Sequence, residues 1–437
     1  MQKFNLTLLI LLLLFIPLYP KFPLLTIGGS YVSIRLDDLV VALVFAVFLI
    51  RAAKNKFRDF THPISKAILL YLFIGLVTSF SGIFVVKSAS VGQGLLHTFR
   101  RFEYFSLFYC GLTFLKTKTD LKFIMSTIIL TGFLVSLYGL GQAFFAFPVI
   151  STTNSEFSKG IALTLGPGAR INSTFAGHYD LAAYSIFPLL LIIAILPFAK
   201  PKWPLLIIGL AIYWTLLLSA SRITFASFVV TSGLLVILIR KKYWLVPLGI
   251  ILIAGVLISP QLKGRYLELI TNHLKISSLS VVHAQDFLES DKNVSITPDA
   301  LKEPAQPEDR SFNIRLQAEW PRAIRAFQKN PLLGTGFSSV GLAVDNDLLR
   351  SLAETGLFGT AAFLLIFIRF FKTSLPFIFR YPHSNPSLNS ALIISFSLGL
   401  IGLGINALFI DVFTASKIAL TTWCLMGIAE RAKATLG

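Results

Sequence analysis

Charge is scarce in this chain of 437 residues: only 14% are Asp, Glu, Lys or Arg, against 55% hydrophobic residues. A soluble domain carries about 25% charged residues, so a water-exposed globular fold is excluded. Cysteine is nearly absent, and both copies, Cys110 and Cys424, sit inside apolar runs. That excludes a disulfide framework and a cysteine metal site and leaves two small buried hydrophobes. Acidic residues are few, 21 against 39 Lys and Arg, for a net charge of +18. No basic patch with interleaved aromatics accompanies the excess, so a nucleic-acid partner is not indicated. The glycines of Gly334-Thr-Gly336 are not followed by the Lys-Ser/Thr of a nucleotide-binding phosphate loop.

What the chain has in quantity is long apolar segments, 40 Phe among them, with a mean hydropathy of +0.75. The apolar runs fall at about 4–19, 36–52, 64–86, 92–115, 121–147, 178–198, 203–219, 223–240, 244–259, 346–371, 388–411 and 414–429. Most are long enough to cross a hydrocarbon core of about 30 Å. Hydrocarbon offers no partner to backbone N–H and C=O groups, so the spans are expected to be helices. The reading is therefore an all-α polytopic membrane protein of about 12 transmembrane helices. The first run resembles a signal peptide, but Pro17-Leu-Tyr-Pro20 offers no small-residue cleavage site, and it reads as a retained anchor.

The basic residues alternate with the spans. Arg51, Lys54, Lys56, Arg58 and Lys66 occupy or flank the second connection, and Lys116, Lys118 and Lys122 the fourth. Lys200 and Lys202 mark the sixth, Arg240, Lys241 and Lys242 the eighth, Arg369, Lys372 and Arg380 the tenth, and Arg431 and Lys433 the tail. The positive-inside rule makes these even-numbered connections cytoplasmic, with both termini inside. Three regions follow: spans 1–9 over residues 1–259, an extracytoplasmic loop over 260–345, and spans 10–12 over 346–437. Within the loop, 280–309 is rich in Pro, Ser and charge and reads as poorly ordered. Asp309 to Lys329 reads as helical, with Arg315, Glu319 and Arg322 on one face and Pro321 kinking it or starting a second helix.

Several polar residues gather at the expected outer face. Arg222 ends Leu218-Ser-Ala-Ser-Arg222, a tight turn between spans. Arg170 precedes Asn172-Ser-Thr-Phe-Ala-Gly-His178. Arg100 and Arg101 lie about two turns into the fourth span, where arginine is costly and faces a cavity or a partner. An ion pair of Arg100 with Glu103, three residues on, is the structural alternative to a functional role. A solvated helix face is the alternative for Arg315 and Arg322.

In order, Ser221-Arg222, Arg315 with Trp320, Pro331-Leu-Leu-Gly-Thr-Gly336 and Asp345-Asn346-Asp347-Leu348-Leu349-Arg350-Ser-Leu-Ala-Glu354-Thr355-Gly356-Leu-Phe-Gly359 stand in the chain. This succession resembles the bacterial O-antigen ligase and O-antigen polymerase superfamily, over about residues 165–370 by motif and the whole chain by span count. The resemblance implies a metal-independent, cofactor-free glycosyltransferase of the multi-helix, lipid-donor (GT-C-like) type in the bacterial cytoplasmic membrane. Such enzymes pass a glycan from undecaprenyl diphosphate to a sugar hydroxyl at the outer face. Ligases use lipid A core as acceptor, and polymerases another lipid-linked repeat unit. Where family ligases carry a His taken as catalytic base, this chain has Asp345, followed by Asn346; an Asp-Asn start is more similar to polymerase-type members.

A diphosphate leaving group calls for arginines, whose guanidinium forks onto phosphate oxygens and is always charged. Arg222 and Arg315 are assigned to it, with Arg170 as a third and Arg100, Arg101 and Arg322 as further candidates. Asp345 is the candidate base for the acceptor hydroxyl, with Asn346 positioning it; the structural alternative for Asp345 is the N-cap of the tenth span. Glu354 is a poorer candidate. Two other classes share the span count: a lipid-linked oligosaccharide flippase, which would more often show internal repeats and broken midplane helices, and a non-catalytic scaffold.

Overall fold

The computed structural model describes residues 2–20, 23–26, 33–150, 164–166, 168–197, 199–260, 262–264, 266, 314–341, 343–380 and 387–434. The stretch 280–309, expected to be poorly ordered, lies outside them.

Each expected span coincides with a helix. In chain order these are α1 (Gln2–Leu18), α2 (Leu36–Lys54), α3 (Pro63–Phe80), α4 (Val91–Phe114), α5 (Lys118–Phe144), α6 (His178–Ile195), α7 (Trp203–Leu218), α8 (Arg222–Leu238) and α9 (Leu245–Ile258). A short helix, α10 (Trp320–Lys329), precedes α11 (Asp347–Arg380), α12 (Leu388–Ala407) and α13 (Ser416–Ala434). A short hairpin of β1 (Pro23–Thr26) and β2 (Ser33–Arg35) was not expected. By length and composition, five segments of the described residues suffice to cross a membrane: Pro63–Val85, Lys118–Phe144, His178–Ile195, Asp347–Phe379 and Leu388–Ala407. Helices α1, α7, α8 and α9 are apolar but shorter.

Local chemistry sets the ends. Thr117 and Asp120 form a reciprocal capping box that opens α5. Ser90 and Ser387 cap α4 and α12 through Gln93 N and Ser390 N. The helices then pack α4 along α13, α3 along α11, and α12 between α6 and α8. Trp423 of α13 is fully buried and meets the rings of Phe105, Phe363, Phe367 and Phe413. The outer surface keeps large apolar side chains such as Phe73, Phe80, Phe99 and Ile253 exposed, as suits a lipid solvent.

Consecutive helices alternate direction, so the odd-numbered connections between spans meet at one end. Ser88 in the third donates to Thr335 O in the ninth. Asn346 reaches Leu408 O in the eleventh at 3.0 Å, and Thr174 in the fifth reaches Pro17 O beside the first at 2.6 Å. Basic residues within helices meet the even-numbered connections at the other end: Arg369 of α11 donates to Pro63 O and Arg431 of α13 to Leu115 O.

Helix α11 is broken at Gly356, whose φ of +64° and ψ of −167° leave the helical region. The break is filled by the Pro331–Gly336 turn. Leu357 N and Phe358 N, freed by the break, donate to Pro331 O and Leu332 O at 2.9 and 3.2 Å. The freed carbonyls of Ala353 and Glu354 accept from Thr335 N and Gly336 N, both at 2.9 Å. Two sequence motifs are thus one structural unit, and these four backbone groups are satisfied across it, as an apolar surrounding demands. Only glycine fits at Gly356, where a Cβ would lie 2.4 Å from Leu332 O.

Candidate functional site

Three segments carry the polar residues of the site end. The first is the fifth connection. Gln142 Oε1 accepts from Ser173 N at 2.7 Å and from Asn172 N at 3.3 Å. Lys417, 1% exposed, donates to Thr174 O at 2.6 Å and Pro17 O at 2.8 Å and lies over the Phe175 ring. Residues 172–175 are thereby pinned inside the bundle. On their two sides Arg170 and His178 meet, Nη1 to Nε2, at 3.0 Å.

The second segment is the start of α8. Thr224 donates to Asn406 Oδ1 at 2.6 Å, and Asn406 Nδ2 donates to Ser227 at 2.9 Å. This buried polar contact with α12 fixes the helix start that carries Arg222, whose backbone carbonyl accepts from the Tyr266 hydroxyl.

The third segment joins the ninth connection to α11. Residues Arg315–Glu319 form one widened helical turn, and α10 follows with Pro321 in its first turn, so the proline starts the second helix. Arg315 Nε and Nη2 both donate to Asp345 Oδ2, at 3.0 and 2.8 Å. Tyr179 of α6 is among the groups acting on Arg315, which connects this pair to the segment carrying Arg170. Arg322 donates to Ala343 O at 2.5 Å and so braces the chain leading to Asp345. Beside the pair, Glu319 Oε2 and Trp320 Nε1 are buried and have no hydrogen-bond partner among the described residues.

The cap of α11 is Asn346. Its Oδ1 accepts from Leu349 N at 2.9 Å and its carbonyl from Arg350 N. Asp345 stands one residue outside the helix with φ of +53°, a conformation an N-cap does not adopt. The alternative of an Asp345 cap is therefore replaced by an Asn346 cap, and Asn346 is spent on the helix end and Leu408 O.

Asp345 is held by its backbone. Asp411, from the connection between α12 and α13, accepts from Val344 N at 2.8 Å and Asp345 N at 3.0 Å. The same carboxylate binds Arg350 Nε and Nη2 at 3.2 and 2.8 Å. Arg350 also reaches Glu354 at 3.0 Å and Gly341 O at 3.1 Å. Arg101 of α4 lies 3.8 Å from Glu354, donates to Phe413 O and sits over the Phe337 ring. Asp347 accepts from Phe413 N at 3.0 Å. Arg101, Asp347, Arg350 and Glu354 line a cavity of about 20 Å³, room for one water. Arg100 pairs with Asp38 at 2.7 Å and with Glu103 at 3.6 Å.

The electrostatics separate the carboxylates of Asp345 and Asp411. Burial raises the Asp345 carboxyl; Arg315 opposes that and Asp411 adds to it, leaving the group above the ordinary carboxylate range. Burial would also raise Asp411, but Arg350 and two backbone N–H groups outweigh it and hold the group below that range. Burial likewise pushes Glu319 up, with help from Asp345. Despite its own burial, Arg315 is held firmly charged by Asp345. The arrangement therefore joins a fixed guanidinium, able to bind an anion, to a carboxylate suited to accept a proton.

Sequence reasoning missed Asp411, Arg350, Tyr179 and Lys417. Asp411 left a signal, as the only ionisable residue between Leu388 and Lys417, and an isolated charge in an apolar run marks a function or a buried partner. Residues 205–364, which include Arg222, Arg315, Asp345 and Arg350, match the O-antigen ligase family. No curated protein matches the chain.

Proposed function

We infer, from the match of residues 205–364 to the O-antigen ligase family, that this chain transfers a glycan from undecaprenyl diphosphate to a sugar hydroxyl. In this reading the twelve long helices span the bacterial cytoplasmic membrane in a lipid-donor (GT-C-like) arrangement. Both termini are cytoplasmic, and the end carrying Arg315 and Asp345 faces outward, where exported lipid-linked glycans stand. Asp345 in place of the His of ligases favours a polymerase, with a second lipid-linked repeat unit as acceptor.

The observation that carries the reading is the Arg315–Asp345 pair, a fixed guanidinium and a carboxylate of raised proton affinity at the mouth of the bundle. Transfer breaks the bond between the anomeric carbon and the diphosphate and leaves negative charge on the diphosphate. Arg315, with Arg222 and Arg170 beside the converging connections, supplies positive charge where that charge develops. Asp345 takes the proton of the attacking hydroxyl. The Arg350–Asp411–Glu354 network touches neither reactant; its part is to hold the Asp345 backbone.

The test uses purified protein in vesicles with an undecaprenyl-diphosphate-linked repeat unit. Longer lipid-linked glycans are expected from wild type and none from Arg222→Ala or Arg315→Ala. Glycan that crosses the bilayer without lengthening or transfer would instead identify a transporter.

A further inference from the structure

Arg315 offers the diphosphate a planar fork, yet in the structure that fork is occupied. Nε and Nη2 both rest on one oxygen of Asp345. To a guanidinium, a carboxylate oxygen and a phosphate oxygen are equivalent ligands. The partners differ in how they are fixed. The Arg315 side chain is 9% exposed and that of Asp345 29%. The Asp345 backbone is secured independently, by its N–H on Asp411 and by the Asn346 cap one residue on. The carboxylate is therefore free to turn away from Arg315 about its own side-chain bonds while the loop stays in place.

We propose that Asp345 is a displaceable counter-ion: the donor diphosphate takes Arg315 from it, and the carboxylate so released becomes the base for the acceptor hydroxyl. This rests on the reading of the chain as a diphosphate-donor transferase. Binding of the donor and activation of the acceptor become one event. While Arg315 holds Asp345 the two charges neutralise each other and no free base is presented. Once the exchange has occurred, Asp345 loses the positive partner that restrains its proton affinity and gains a second negative neighbour besides Asp411. Both changes strengthen it as a base. The other groups acting on the pair are Glu319 from the turn before α10, Arg350 from α11 and Tyr179 from α6. In the transfer, the acceptor oxygen bonds to the anomeric carbon and its proton passes to Asp345. The anomeric carbon–oxygen bond breaks, with its electron pair leaving on the diphosphate held by Arg315.

The test is equilibrium binding of sugar-free undecaprenyl diphosphate to the full chain in nanodiscs. If Asp345 competes with the diphosphate, Asp345→Asn binds roughly tenfold tighter than wild type, because a charged competitor is replaced by a neutral one. Asp345→Gly, which suits the positive φ, does the same and guards against an effect peculiar to the amide. Wild-type affinity also rises as pH falls through the titration of Asp345, and the Asp345→Asn variant lacks that component. Were Asp345 a fixed partner that orients Arg315, both variants would bind more weakly than wild type, and unchanged or weaker binding in both overturns the exchange. If Arg315→Ala binds the probe as well as wild type, the assignment of Arg315 to the diphosphate fails and the exchange with it.

Discussion

Replacing Asp411 with Ala removes an acceptor that no reactant is expected to touch, and the consequence for the site can be worked out. Its carboxylate takes N–H donors from Val344, Asp345 and, twice, Arg350. Its side chain is 11% exposed and that of Arg350 7%. Removing one member of a buried ion pair costs ~3–5 kcal/mol, because the other charge remains in a poor solvent. Arg350 retains Glu354 and Gly341 O, which sets the expectation near the lower figure, about 3 kcal/mol. Two backbone N–H groups also lose their acceptor, one of them that of Asp345 itself. With its φ of +53° no longer secured, Asp345 drifts, and a displacement of about 1 Å near the chemistry costs on the order of 10²-fold in rate. Asp411→Glu provides the contrast. It restores the charge, and so most of the stability, but its extra methylene moves the acceptor away from Val344 N and Asp345 N, so transfer stays low. Thermal melting and single-turnover transfer, measured on the same samples, read the two effects separately. Wild-type melting together with wild-type transfer in Asp411→Ala would refute the anchoring role. The pH dependence has a definite sign. The folded carboxyl is held below its ordinary value, so its stabilisation is complete above about pH 4. It is lost as pH falls through the folded value, and Asp411→Asn lacks that acid-side loss.

Gly356→Ala places a Cβ 2.4 Å from Leu332 O at a φ of +64°; expulsion of the Pro331–Gly336 turn and a loss of more than ~2 kcal/mol in melting experiments are expected. In a background with Cys110 and Cys424 replaced, a cysteine at Ser290 is expected to react with an impermeant reagent in intact cells and one at Asn55 is not; reversed labelling would remove the outward-facing site. Asp345→Asn, which leaves the Asn346 cap untouched, is expected to fold normally and to lose roughly 10²-fold or more in transfer rate. Arg222→Lys keeps the charge but loses the planar fork, so transfer is expected to fall sharply with melting unchanged.

The helices were legible because hydrocarbon leaves the backbone no other choice, and each apolar run between 4 and 429 has its helix. Ends were less legible. The tenth span was expected to stop at 371, yet α11 continues to Arg380 through Leu375, Phe377, Ile378 and Phe379, because the hydroxyls of Thr373 and Ser374, which ended the apolar run, bond back to Phe370 O and leave the helix uninterrupted. The cap of α11 was displaced by one position for a related reason. Asp345, Asn346 and Asp347 are all good caps by composition, and only the left-handed backbone of Asp345 tells them apart. The glycines of Gly334-Thr-Gly336 allow a close backbone approach. What the turn approaches, the broken strand of carbonyls in α11, lies 18 residues further on, where Thr335 meets Ala353, and a helix break at Gly356 has no apolar periodicity to announce it.

Charges were legible as a set and illegible as pairs. Arg315 and Asp345 were both selected, for separate duties, and nothing in their spacing of 30 residues joins them. Arg100 was tied to Glu103 by helical spacing, and that contact exists, but Asp38, 62 residues away, is nearer. Arg350 passed without notice in a motif chosen for its carboxylates, since its partner Asp411 is 61 residues distant. In a bilayer protein this follows from how buried charge is tolerated. An ionisable side chain survives in an apolar bundle only beside an opposite charge or converging backbone dipoles, and helices from opposite ends of the sequence supply those. A lone charge in an apolar run therefore announces that a partner exists and withholds which one. Asp411 is such a residue, and its partners, the Asp345 backbone and Arg350, put it at the centre of the polar site where sequence order had left it at the end of a span.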